Sequence, residues 1–279
     1  MSILKNWIAL VAGASRGVGK GVALGLGEAG ATVYVTGRTV IPGNGPMGLP
    51  GTIRETADDV NRLGGTGIPV LCDHSDDSQV VALFEQIDRE HGRIDMLVNS
   101  VWGGYEHMVE NNEFTWAYPF WMQPVRRWDA MFSAGVRAHY VASMLAARRM
   151  VKQGSGLIIN ISFWAAQKRM GNVAYGVAKA ATDRMTLYMA EELKPHGVAV
   201  VCIYPGLVRT ESVMRAAEFM DLSNSESPQF IGRAVAALAS DPDIMKRTGT
   251  VCVAASLGLE YGFKDIDGRQ PVPLSIEDV

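Results

Sequence analysis

Tyr175 and Lys179 stand four residues apart in a helical pattern, so their side chains share one helix face. An ammonium beside a phenol stabilises the phenolate and draws the phenol pKa down from ~10, which suits the pair to general acid/base chemistry. The spacing is common by itself, and an ordinary exposed Tyr/Lys pair is the alternative reading. A second chemical signal is the run Ala12-Gly13-Ala14-Ser15-Arg16-Gly17-Val18-Gly19. Glycines let backbone N–H groups approach a pyrophosphate closely, and a following helix adds favourable partial charge at its N-terminus. Glycine also ends strands for structural reasons. The position after an apolar run and before an amphipathic pattern favours phosphate binding.

The dinucleotide can be read at the end of the next apolar run, Val33-Tyr34-Val35-Thr36-Gly37-Arg38. An acid there would accept a ribose 2′-OH. Gly37 and Arg38 stand instead, and Arg38 together with Arg16 could clamp a 2′-phosphate, which predicts NADP(H). The alternative is that both arginines are solvated surface residues.

These residues must be positioned by a scaffold, and the pattern supplies one. Apolar, β-rich runs over 7–12, 32–36, 68–72, 94–99, 156–162, 198–204 and 250–254 alternate with helical patterns over 17–29, 52–63, 77–90, 128–152, 173–194 and 228–240. Continuously apolar strands separated by helices predict an α/β doubly wound (Rossmann) parallel sheet of about seven strands with helices on both faces. No repeat or compositional break divides the chain, so a single domain over 1–279 is expected. Two connections are long: 37–51, dense in Gly and Pro, and 100–127, which carries Trp102, Tyr105, Phe114, Trp116, Tyr118, Phe120 and Trp121. The aromatic stretch reads equally as an apolar wall over a substrate or as packing at a subunit contact.

Composition narrows the partners. With 48% hydrophobic and 20% charged residues and a net charge of -3, the chain is that of a globular protein without a nucleic-acid footprint. A small molecule is the expected partner. Three scattered cysteines and five histidines show neither a disulfide framework nor metal spacing, and of the histidines His107 falls in the aromatic stretch. No apolar run approaches membrane-spanning length and none reads as a signal peptide, so a cytoplasmic protein is expected.

In order along the chain, the glycine turn, Asn99-Ser100-Val101-Trp102, Ser162, Tyr175 to Lys179 and Pro205-Gly206-Leu207-Val208-Arg209-Thr210 resemble the short-chain dehydrogenase/reductase family over essentially the whole length. The segments 135–140, 258–262 and 265–269 are similar to its dehydrogenase/reductase member 1 subgroup. The resemblance implies reversible hydride transfer between NADP(H) and a carbonyl/alcohol pair, on an apolar or aromatic substrate. It implies that Tyr175 donates the proton and that Lys179 holds the ribose hydroxyls and lowers the tyrosine pKa. Asp73 would lie near the adenine, where a polar cap at a strand end is the alternative. Asn99 would support the strand ends beside the cofactor, and Val208 and Thr210 would hold the nicotinamide carboxamide. A homodimer or homotetramer is the implied assembly.

Three departures bear on activity. Trp102 brings bulk where the family pattern has a glycine, and Gly135 stands where it has an asparagine that supports a proton relay through the lysine. Ser162 precedes Tyr175 by thirteen residues, a family spacing for the carbonyl-orienting serine, yet aligning Ile161-Ser162-Phe163 with the usual ISS puts Phe163 there. Ser162 is taken as the catalytic hydroxyl. A nucleotide-binding regulatory or scaffold protein with weak or lost activity is the rival reading.

Overall fold

A computed structural model describes residues 3–105, 108–110 and 113–279. In chain order the strands are β1 (Ile8–Ala12), β2 (Thr32–Gly37), β3 (Thr66–Leu71), β4 (Met96–Asn99), β5 (Val109–Glu110), β6 (Glu113–Phe114), β7 (Gly156–Ile161), β8 (Val198–Tyr204) and β9 (Val251–Val253). The α-helices are α1 (Gly17–Glu28), α2 (Ile53–Arg62), α3 (Asp77–His91), α4 (Val125–Phe132), α5 (Ala138–Gln153), α6 (Val173–Leu193), α7 (Glu211–Arg215), α8 (Pro228–Ser240) and α9 (Ala254–Tyr261). Seven strands form one parallel sheet in the order β3-β2-β1-β4-β7-β8-β9. The expected doubly wound architecture is therefore present.

Strand side chains alternate between two faces, and both faces are buried, which is why the runs are continuously apolar. Val11, Val35, Val98, Ile159 and Val201 pack with Val22 and Leu26 of α1 and with Phe230 and Leu238 of α8. Leu10, Tyr34, Leu97, Ile158 and Val200 face the opposite way, against Phe84 of α3, Leu145 of α5 and Leu193 of α6. β1 and β4 are neighbours, and the connections leaving their carboxyl ends run in opposite directions, to β2 and to β7, opening a crevice there.

Helix starts are fixed by side-chain caps. Thr52, Asp76, Asn172 and Ser227 each accept a hydrogen bond from a first-turn N–H of α2, α3, α6 and α8, and Pro228 adds a preset φ at the head of α8. The N-cap of α1, Arg16, makes no capping bond with its side chain; the first-turn N–H of Gly17 is instead accepted by Glu211. Helix α1 crosses α8 at backbone contact: a Cβ on Gly21 would lie 1.9 Å from the Pro228 carbonyl oxygen, and one on Gly25 would lie 2.3 Å from the Gly232 carbonyl carbon.

The departures from expectation are local. The helix expected over 128–152 is α4 and α5 joined by one π-helical turn, Ser133–Arg137. That turn brings Gly135 against Trp102, where a Cβ would lie 2.4 Å from the indole ring. Ala254 begins α9 rather than ending a strand, and α7 and the β5–β6 pairing lie in stretches read as irregular. Short polar segments carry too weak a period to be recognised from sequence.

Candidate active site

A cavity of about 1050 Å³ lies over the carboxyl ends of β1, β2, β4, β7 and β8. The glycine turn forms its floor at one end. Gly13 takes φ +82°, and its N–H and that of Ala14 donate to the Thr36 carbonyl at 3.1 and 2.8 Å. A Cβ on Gly19 would sit 2.1 Å from the Gly13 carbonyl oxygen, so the turn closes on itself only because Gly19 lacks a side chain, and one on Gly13 would lie 2.9 Å from the Val101 backbone. Ser15, Gly17 and Val18 complete the cradle. Gly17 donates its N–H to Oε2 of Glu211 at 2.9 Å. The turn thus already presents a helix N-terminal donor to an anionic oxygen, which is the property a dinucleotide pyrophosphate requires.

The rim beside the turn holds the charged residues. Arg38 is half-exposed and its guanidinium lies 3.9 Å from the Asp73 carboxylate. Asp73 also accepts from the N–H and hydroxyl of Ser75, and these bonds and Arg38 hold its carboxyl below the usual range despite burial. Arg16 lines the same cavity but donates to the Thr39 hydroxyl and the Pro50 and Gly51 carbonyls, at 3.0, 3.0 and 2.9 Å. Its donors organise the Gly/Pro-rich connection. Beneath the rim, His74 meets the Thr36 hydroxyl at 2.8 Å, and burial lowers its pKa to about 4, so it is neutral. Asn99 is fully buried and its amide donates to Ser143 at 2.9 Å and Asn160 at 2.8 Å; Asn160 in turn donates to Thr186 at 2.9 Å. It ties β4 and β7 to α5 and α6, below the cavity.

Pro205, Gly206, Val208 and Thr210 form a wall across from the turn. The buried carboxylate of Glu226 accepts the Gly206 N–H at 2.8 Å, and burial pushes its pKa up to about 7. Arg209 reaches Asp265 at 2.9 Å, and Asp265 accepts the Ser227 N–H at 2.8 Å, so the C-terminal tail braces this wall. Glu226 did not stand out in the sequence, because no spacing links it to the wall it holds, and Asp265 entered only within the resemblance of 265–269.

At the other end the Asn172 cap, accepting the Tyr175 N–H at 3.0 Å, starts α6 so that Tyr175 and Lys179 face the cavity. Both are buried. Tyr175 sits among the rings of Trp102, Trp116, Tyr105 and Phe163, with centroids 5.5, 5.5, 6.2 and 6.5 Å away. Burial pushes its pKa well above the ordinary phenol value, with the Tyr105 hydroxyl adding to the rise. The expected lowering by the ammonium is opposed here by desolvation of the phenolate in an apolar box. Burial also lowers Lys179, to about 8. Its Nζ donates to the Ile161 carbonyl at 3.4 Å and lies 4.3 Å from the Trp102 ring centre, a cation–π distance. Trp102 therefore fills the volume left by Gly135 and covers the lysine.

Ser162 lines the cavity, but its hydroxyl is not directed at the Tyr175 hydroxyl. It follows the strand alternation of Ile158 and Asn160, faces α6, and donates to the Lys179 carbonyl at 3.3 Å. Phe163, one residue on, turns its ring to Tyr175. The hydroxyl that does reach Tyr175 belongs to Tyr105, which donates to it at 3.3 Å.

The aromatic stretch divides. Phe114 and Trp116 line the cavity with Met108, whereas Phe120 and Trp121 are exposed. Arg127, fully buried on α4, anchors the stretch through the Thr115 hydroxyl at 2.7 Å and the Thr115 carbonyl at 3.1 Å. His107 lies outside the described residues. Among the described residues no cluster of three or more His, Cys, Asp or Glu could hold a metal ion, and no helix is long and apolar enough to cross a membrane.

A doubly wound sheet with a glycine turn at one end of its crevice and a Tyr–Lys pair at the other has the form of a dinucleotide-dependent dehydrogenase. The comparisons specify the family: residues 7–221 match the family model described as short chain dehydrogenase, and the chain belongs to the short-chain dehydrogenase/reductase family of oxidoreductases, which work with nicotinamide cofactors. It is 42% identical to Dehydrogenase/reductase SDR family member 1 of Mus musculus and 40% identical to that of Homo sapiens, each match covering 95% of this chain and 85% of the relative. A short-chain type dehydrogenase/reductase from Mycobacterium marinum superposes with a TM-score of 0.73 at 27% identity, over 90% of this chain and 94% of that one.

Proposed function

We propose that the protein reduces, and reversibly oxidises, a carbonyl/alcohol pair on an apolar or aromatic substrate with NADP(H), Tyr175 serving as the proton donor. The observation that carries this reading is a single cavity in which the phosphate-type turn and the Tyr175–Lys179 pair face one another across an apolar, aromatic wall. The turn 13–19 would hold the pyrophosphate, Asp73 the adenine side, Arg38 the 2′-phosphate, and the wall from Pro205 to Thr210 the nicotinamide end. When bound, NADP(H) supplies the hydride.

The residues of the chain do the rest. Trp116 and Phe114 exclude water and favour an apolar substrate. The raised pKa of Tyr175 keeps its proton in place at neutral pH, so it is a loaded acid for a carbonyl oxygen that gathers negative charge. Lys179, largely protonated at pH 7 with a pKa of about 8, lies below it and would hold the ribose hydroxyls. Arg38 in place of an acid at the end of β2 supports the 2′-phosphate form.

A panel of ketones and aldehydes offered with NADPH and NADH, followed by nicotinamide absorbance, tests the reading. Turnover that is faster with NADPH is expected. NADPH binding without turnover of any carbonyl would favour a nucleotide-binding regulatory protein, and failure to bind either dinucleotide would overturn both readings.

A further inference from the structure

We propose that Tyr105 is a second catalytic hydroxyl, donating a hydrogen bond to the same substrate oxygen that Tyr175 protonates. The inference rests on the reductase reading above and names the residue that orients its carbonyl.

An oxygen becoming an alkoxide has more than one lone pair to satisfy, and a dry site gains most from a second donor aimed at it. The serine expected for that task lines the cavity, but its hydroxyl is engaged by the Lys179 carbonyl, and the next residue offers a phenyl ring. Tyr105 Oη lies 3.3 Å from Tyr175 Oη, so one oxygen placed between them can accept a bond from each. The Tyr105 ring is held in the wall of the cavity by Trp102 and Trp116, at centroid distances of 5.8 and 5.6 Å. That clamp fixes where the hydroxyl points, as a positioned donor requires. A tyrosine serving only as packing would gain nothing from a polar tip beside a buried phenol.

The step balances without further reactants. The carbonyl carbon gains a C–H bond from the hydride that the nicotinamide supplies, and the C–O π pair moves onto oxygen. That oxygen takes the proton of Tyr175, leaving a phenolate that solvent reprotonates. Tyr105 keeps its own proton and contributes a hydrogen bond alone.

Tyr105→Phe removes the hydroxyl and leaves the ring in its clamp, so an unchanged melting temperature verifies the fold. We expect kcat for the best carbonyl of the panel to fall by about 10²-fold, with KM changed much less, and by a larger factor than in Ser162→Ala. Tyr118→Phe, in the same connection but outside the cavity, leaves turnover unchanged. Calorimetry gives an independent readout: benzoate, whose oxygens carry the charge that the reduced carbonyl develops, should bind the protein–NADP+ complex about 10-fold more weakly in Tyr105→Phe, while NADP+ affinity is unaltered. Equal kcat and equal benzoate affinity in Tyr105→Phe and wild type, no benzoate binding by wild type, or a greater loss in Ser162→Ala would each overturn the assignment of Tyr105. Failure of wild type to bind NADP+ would instead overturn the reductase reading on which it stands.

Discussion

The two ends of the cavity are built in opposite ways. At the end with the glycine turn the fold of the turn itself is fixed by backbone: the Gly13 and Ala14 N–H groups donate to the Thr36 carbonyl, and Gly19 meets the Gly13 carbonyl, all within one supersecondary unit. At the reactive end the contacts are side chains from segments far apart, with Tyr105, Trp116, Phe163 and Tyr175 converging from two connections and one helix. Backbone geometry follows from short runs of small residues and tolerates little change. Side-chain geometry can be rebuilt while the fold stays as it is, and here the Ser162 hydroxyl is taken by the Lys179 carbonyl while that of Tyr105 reaches Tyr175.

If the division is real, changes at the reactive end should alter rate and leave cofactor affinity alone. Tyr175→Phe should have the largest effect, a loss of about 10³-fold or more in kcat with the NADPH dissociation constant nearly unchanged by fluorescence titration. Retained turnover would assign the proton to another group and break the comparison at its strongest point.

One expected effect spans both ends. His74 under the cofactor rim and His139, which meets the Val101 carbonyl at 2.9 Å near Lys179, are buried and neutral, with pKa values lowered from 6.5 to about 4 and about 3. Burial is the leading cause in each, and the Lys179 charge adds to it for His139. The unfolded chain therefore takes up two protons below pH 6.5 that the native state refuses. Stability should fall as pH drops from 6.5 toward those values, by roughly 3 kcal/mol per histidine at pH 4. Urea unfolding at pH 7 and pH 4.5 checks this, and replacing either histidine by Gln should flatten part of the decline.

A smaller effect sharpens the cofactor side. Gly25→Ala puts a methyl 2.3 Å from the α8 backbone and should destabilise the fold by about 1–3 kcal/mol, read as a lower melting temperature. NADPH affinity should drop with it, since α1 carries the turn, whereas kcat at saturating NADPH should hold. Smallest is Arg38→Ala, expected to weaken NADPH by about 10-fold and leave NADH unchanged, narrowing the preference between them. Equal loss for both dinucleotides would remove Arg38 from the 2′-phosphate site.

The same division explains what the sequence disclosed. β1, the turn and α1 are contiguous, and Tyr175 with Lys179 needs only a helical period, so both were legible from spacing. The direction of Ser162 was not, because adjacent residues at a strand end face opposite sides of the sheet and one residue of register reverses them. Tyr105 lay among several aromatics with nothing in its spacing to single it out; its partner is 70 residues away. The burial that raises the Tyr175 pKa was not legible for a related reason. The four rings around the phenol all come from connections, where pattern carries the least information.

The crossing of α1 and α8 has a consequence for motion. Where two helices meet backbone to backbone through Gly21, Gly25 and Gly232, no rotamer change can take up a displacement, and the pair behaves as a rigid bearing. The donors at the head of α1 are thereby fixed relative to the sheet. Accommodation of a guest of varying size must come from the opposite lip, where Arg215 of α7 holds the Met47 and Gly48 carbonyls at 2.8 and 3.2 Å and couples that short helix to the Gly/Pro-rich connection.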